Sequence, residues 1–124
     1  MPVLSRPSAP THEFGATRFT ALASPSRGSS ELAVWQVEIA PGTPPTPHAL
    51  TREEVFVVLE GTAELRIGGT VTTARAGDAI AVPPGQMFEL ANAGDRPLIA
   101  VCCMSSGGRA YLAGQEPFAP PWTV

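Results

Sequence analysis

Lysine is missing from this 124-residue chain; all 8 basic residues are arginines, scattered singly. Without a lysine amine there is no Schiff base to a carbonyl substrate and no anchor for pyridoxal phosphate. The missing Lys, beside abundant Ala and Arg, is read as the mark of a GC-rich bacterial genome. With a net charge of −3 and no basic run, no nucleic-acid partner is expected. Cysteine is scarce: the 2 present are neighbours, Cys102 and Cys103. Adjacent strand residues point to opposite faces, so they do not bridge each other, and a disulfide framework is excluded. One of the two must face inward, and we read it as a structural thiol in a reducing compartment. Histidine is equally scarce, with only His12 and His48, so three histidines cannot meet in one chain. No apolar run approaches the roughly 20 residues that span a bilayer, so no membrane partner is expected. The N-terminal MPVLSRPSAPTHEF has no apolar signal core, and a cytoplasmic protein is expected.

What the chain does have is punctuation. Its 14 Pro and 12 Gly are spread between short apolar runs. The runs are TRFTALA (17–23), LAVWQVEI (32–39), EVFVVLEG (54–61), TAELRI (62–67), VTTARA (71–76), DAIAVP (78–83), QMFELAN (86–92) and PLIAVCCM (97–104). Turn signals such as APGTPPTP, PPG and NAGDRP separate them. Short strands with tight turns and no sustained helical period predict an all-β fold in one domain. Its barrel core is placed at about residues 32–104, with an N-terminal strand region over 12–31 and a C-terminal tail over 105–124. In TAELRI, Ala63, Leu65 and Ile67 share one face. Both faces of VFVVLE are apolar, which predicts a second sheet or a partner subunit outside it, and hence a homodimer. Phe118 and Trp122 predict that the tail is pinned in a groove of the domain or of a neighbour.

Two spaced motifs stand out. In the first, Gly42 is followed by five residues, His48, one residue, Leu50, three residues, Glu54, six residues and Gly61. In the second, Gly77 is followed by five residues, Pro83, one residue, Gly85, two residues, Phe88, three residues and Asn92. The pair resembles the two signatures of the cupin family, with four of five fixed positions matching in each. The resemblance implies a cupin double-stranded β-helix, that is, a jelly-roll barrel. Gly61, Gly77 and Gly85 would sit at turns that need positive φ or a close backbone approach. Metal-binding cupins place His, His and Glu in the first signature and His in the second. The matching positions here are His48, Leu50, Glu54 and Phe88, so two of the four are apolar.

An imidazole and a carboxylate in an apolar barrel mouth suit general acid–base work. His48 and Glu54 are therefore the catalytic candidates. Leu50, Phe56, Gln86 and Phe88 are the substrate-binding candidates, lining a cavity for a mostly apolar or aromatic small molecule. The expected chemistry is isomerisation, epimerisation, dehydration or cyclisation without a cofactor, of the kind found in secondary metabolism. The bland alternative is a His48–Glu54 hydrogen bond that merely satisfies two buried polar groups. A second alternative is a metal-dependent oxygenase or isomerase in which His48 and Glu54 hold Fe, Mn, Ni or Zn. Such a site would need His12, or the inward cysteine, as a third ligand. A third is a ligand-binding or sensing module without turnover.

Overall fold

The computed structural model describes residues 3–124. Eleven strands run in chain order: β1 (Thr11–Phe14), β2 (Thr17–Ala23), β3 (Leu32–Ile39), β4 (Ala49–Leu50), β5 (Glu54–Glu60), β6 (Thr62–Ile67), β7 (Thr70–Arg75), β8 (Ala79–Val82), β9 (Glu89–Asn92), β10 (Leu98–Ser105) and β11 (Ala110–Tyr111). Every pairing is antiparallel. One sheet has the order β1-β2-β3-β10-β5-β8, a second β7-β6-β9, and a third pairs β11 with β4. This is the expected jelly-roll architecture. Among the described residues, no helix is long and apolar enough to cross a membrane.

Strict alternation builds the core. On β3, Ala33, Trp35, Val37 and Ile39 point inward, and on β10 Leu98, Ala100, Cys102 and Met104 do the same. They meet Ala63 and Ala74 of the three-stranded sheet, with Leu65, Ile67 and Leu90 packed alongside. A period of two is what a sheet with one wet face demands, and slipping any of these strands by one residue would turn its apolar side chains outward. Asn92 ties the two sheets together at their edge. Its amide donates to the carbonyls of Ile39 (2.9 Å) and Arg96 (2.7 Å), and its oxygen accepts from Gly94 N–H (2.9 Å).

The structure resolves the N-terminal strand region into two strands and adds two short strands that the residue pattern did not announce. β1 extends the large sheet by pairing with β2, Phe14 opposite Thr17, and β4 and β11 are only two residues long. The apolar outer face of β5 is only partly covered by the described residues: Val55 is half-buried, Val57 is 37% and Leu59 47% exposed. Of the two covers expected there, a second sheet or a partner subunit, the sheet is absent among the described residues. The tail, by contrast, is pinned as expected. Phe118 and Ala110 exchange backbone hydrogen bonds of 2.8 and 2.9 Å, and the Trp122 ring stacks on Phe19 with centroids 3.7 Å apart.

Gly61 links β5 to β6 with φ +88°, and a Cβ there would lie 2.8 Å from the carbonyl oxygen of Pro97. Gly15, in the β1–β2 turn, has φ +61° with open space where a Cβ would go. Gly61→Ala should therefore lose at least about 2 kcal/mol of stability, from the left-handed backbone together with the clash. Gly15→Ala should lose about 1 kcal/mol, from the backbone alone. Urea unfolding midpoints at constant slope measure both changes.

A buried acid and a neutral base in an apolar cavity

Glu54 opens β5, and Phe56 and Val58 follow it on the same inward face, while Val55 and Val57 point away. Strand parity thus carries a carboxyl into the core, where the residue is 4% exposed. Its register neighbours are Met104 on β10 and Val82 on β8, both apolar. Oε1 has no hydrogen-bond partner. A carboxylate stripped of water without compensating donors is strongly disfavoured, so burial alone pushes the Glu54 pKa from 4.5 up to about 8. At neutral pH this side chain is a carboxylic acid with a proton to give.

His48 follows the proline-rich run and is held from two sides. Its backbone exchanges hydrogen bonds with Phe88, 3.0 Å from His48 N to Phe88 O and 2.9 Å in return. The imidazole lies over the Phe88 ring, with centroids 4.5 Å apart. Nδ1 sits 2.8 Å from the carbonyl oxygen of Thr46. A carbonyl only accepts, so Nδ1 carries the hydrogen and Nε2 keeps a lone pair in the neutral ring. Burial lowers the His48 pKa from 6.5, and the bond to Thr46 partly opposes that shift. The imidazole is therefore a neutral base at neutral pH.

Both side chains line one cavity of about 560 Å³. Its walls include Leu50 and Phe56, as the sequence pattern predicts for them, with Trp35, Phe19 and Trp122. The titratable lining groups are His12, Glu13, His48, Glu54 and Cys102, and none of the arginines lines it. Two expected positions fall elsewhere. Phe88 is 1% exposed and does not line the cavity; it is the packing partner that sets the His48 ring, and its own edge meets Phe56 at 5.9 Å. Gln86 also lies off the cavity, with its amide donating to the Met87 carbonyl at 2.9 Å. The proline-rich approach to Phe88 turns Gln86 away, because the strand that would have placed both on one face begins only at Glu89.

Two other sequence readings are settled by position. The direct His48–Glu54 bond that would satisfy both groups is not made by Glu54 Oε1. Cys102 is the inward cysteine; burial first, and then the neighbouring Glu54, raise its thiol pKa, so it stays a thiol. His12 also reaches the cavity, from β1. The residues do not fit a metal centre, because among the described residues no three His, Cys, Asp or Glu side chains come together to hold an ion. Leu50 and Phe88 fill the two positions where further ligands would stand.

The folded protein holds the Glu54 proton more tightly than the unfolded chain, whose carboxyl titrates near 4.5. The stability this contributes is complete below that value and is lost as pH rises through about 8. Glu54→Gln removes the titration. Denaturant unfolding of the variant should therefore show it gaining on the wild type between about pH 5 and pH 9, with the gap widest at the alkaline end.

The family model described as Cupin domain matches residues 35–104. A search of curated proteins by sequence finds no match. Among solved structures, the polyketide cyclase RemF from Streptomyces resistomycificus superposes with a TM-score of 0.73 at 20% identity, covering 85% of this chain and 79% of that one. A sugar phosphate isomerase from a cupin superfamily, from Silicibacter pomeroyi, gives 0.73 at 20% identity, covering 92% and 83%. KdgF from a Halomonas species gives 0.71 at 17%, covering 83% and 93%. At such identities the likeness is one of fold.

Proposed function

The chain belongs to the cupin family, and from that premise we propose that it is a metal-independent acid–base enzyme acting on a mostly apolar or aromatic small molecule. One observation carries the reading: a carboxyl with an unpartnered oxygen, buried and protonated at neutral pH, lines the same apolar cavity as an imidazole that is neutral. Fold alone does not choose a reaction. The lining supports an uncharged substrate over a sugar phosphate, which would find no arginine there to meet its charge. An uncharged ring system, such as a polyketide offers, meets walls of its own kind.

Glu54 is the acid and His48 the base. His48 Nε2 takes a proton from the carbon next to a substrate carbonyl while the Glu54 hydroxyl gives its proton to the carbonyl oxygen. The product is a neutral enol, with an imidazolium and a carboxylate left facing the same small space. Their mutual attraction offsets part of the cost of charging each one there. Returning the proton to a different atom gives isomerisation, and returning it to the other face of the same carbon gives epimerisation. Expelling a neighbouring hydroxyl as water gives dehydration, and capture of the enol carbon by a second carbonyl closes a ring. The exposed outer face of β5, with Val57 and Leu59, is proposed to be covered by a second copy of the chain. Sedimentation at twice the chain mass would support the dimer, and a monomer would dismiss it.

The catalytic test needs no known product. Uncharged aryl ketones incubated with the protein in D2O should gain deuterium at the carbon beside the carbonyl, read by mass spectrometry. His48→Ala and Glu54→Gln should each slow this exchange by about 10² to 10⁴-fold at neutral pH without lowering the melting temperature. The rate should be bell-shaped in pH. It should fall on the acid side as His48 protonates, below its usual 6.5, and on the alkaline side as Glu54 ionises near 8. Saturable binding with no exchange would make the protein a binding module instead.

A further inference from the structure

The C-terminal segment is built more firmly than a loose cover requires. Phe118 is anchored to Ala110 through backbone bonds of 2.8 and 2.9 Å. Pro121–Thr123 form a 3-10 turn, closed by Thr123 N–H and Oγ1 on the Pro120 carbonyl at 2.9 and 2.8 Å. Ser26 Oγ donates to Val124 O at 2.7 Å. Between these anchors Trp122 lies flat on Phe19, with centroids 3.7 Å apart and planes 4° from parallel, and both rings line the cavity.

This aromatic pair and Glu54 mark separate regions of the cavity. Phe19 is on β2 and Glu54 on β5, with β3 and β10 between them in the sheet. Three strand spacings correspond to about 14 Å of curved wall. Beside Trp122 the lining also includes Pro120 and Pro121, which carry no N–H to donate. The end near Glu54 holds a buried polar atom without a partner.

We propose that the Phe19–Trp122 pair is an aromatic subsite, assembled by the C-terminal segment, that takes a flat, uncharged ring system of the ligand while the ligand's oxygen function reaches Glu54. The stack fixes the indole plane before anything binds, so little side-chain entropy is lost when a ring packs against it. With apolar walls and no arginine among its lining residues, the cavity disfavours an anionic version of the same ring system, whose charge would lose water without a guanidinium in exchange. The proposal rests on the reading of Glu54 and His48 as the reactive end, but its test involves no proton transfer, so either idea can fail alone.

N-phenyl-1-naphthylamine and 8-anilino-1-naphthalenesulfonate share one ring skeleton and differ by a sulfonate. Fluorescence titration of the wild-type protein should give single-site binding of the amine, with the sulfonate bound at least about tenfold more weakly. Trp122→Ala should weaken the amine at least about tenfold, whereas Trp122→Phe should stay within about threefold. If a thermal melt shows Trp122→Ala unfolded, Phe19→Leu takes its place with the same expected loss. Equal affinity for the two probes, no binding of the amine by the wild type, or undiminished binding by the folded variant would overturn the proposal.

Discussion

The structure turns on one costly placement, the Glu54 carboxyl inside a cavity with an oxygen that nothing among the described residues satisfies. A buried polar atom without a partner costs roughly 1 to 3 kcal/mol, and folding supplies nothing at this spot to recover it. The chain tolerates the cost because its strands are otherwise in register, with apolar side chains from β3, β5, β8 and β10 filling one face. Keeping the proton limits the penalty, since the neutral acid is far cheaper to bury than the carboxylate.

His48 complements it by opposite means. The Thr46 carbonyl takes its Nδ1 hydrogen and Phe88 backs its ring, so the imidazole is oriented with Nε2 unspent. Burial reverses the ordinary order of the two pKa values, raising the acid to about 8 and lowering the base from 6.5. Both groups are then uncharged over the same pH interval, so the transfer proposed between them would start from neutral partners.

Much of this could be read from the residues. Strands with clean alternation or strong turn signals, such as 32–39 and 62–67, stand where the pattern placed them. The spacing of Gly42, His48, Glu54 and Gly61 announced the family that the matched profile shows. What escaped were contacts set by tertiary register. Two-residue strands such as β4 and β11 carry no period to detect, and β1 pairs through a tight Gly15 turn without an apolar pattern of its own. Gln86 and Phe88 could not be placed from parity, because parity fails where the chain before them is a turn and not a strand. The Phe19–Trp122 stack joins residues about a hundred positions apart, a distance over which sequence alone supplies no geometry.

The central claim is that Glu54 is a neutral acid in the folded protein at neutral pH, and its carboxyl vibration reports this directly. Infrared difference spectra between the wild type and Glu54→Gln, recorded across pH, should show a protonated carbonyl band at neutral pH that vanishes with a midpoint near 8. Carboxylate bands already present at neutral pH, with a midpoint near the ordinary 4.5, would contradict the account.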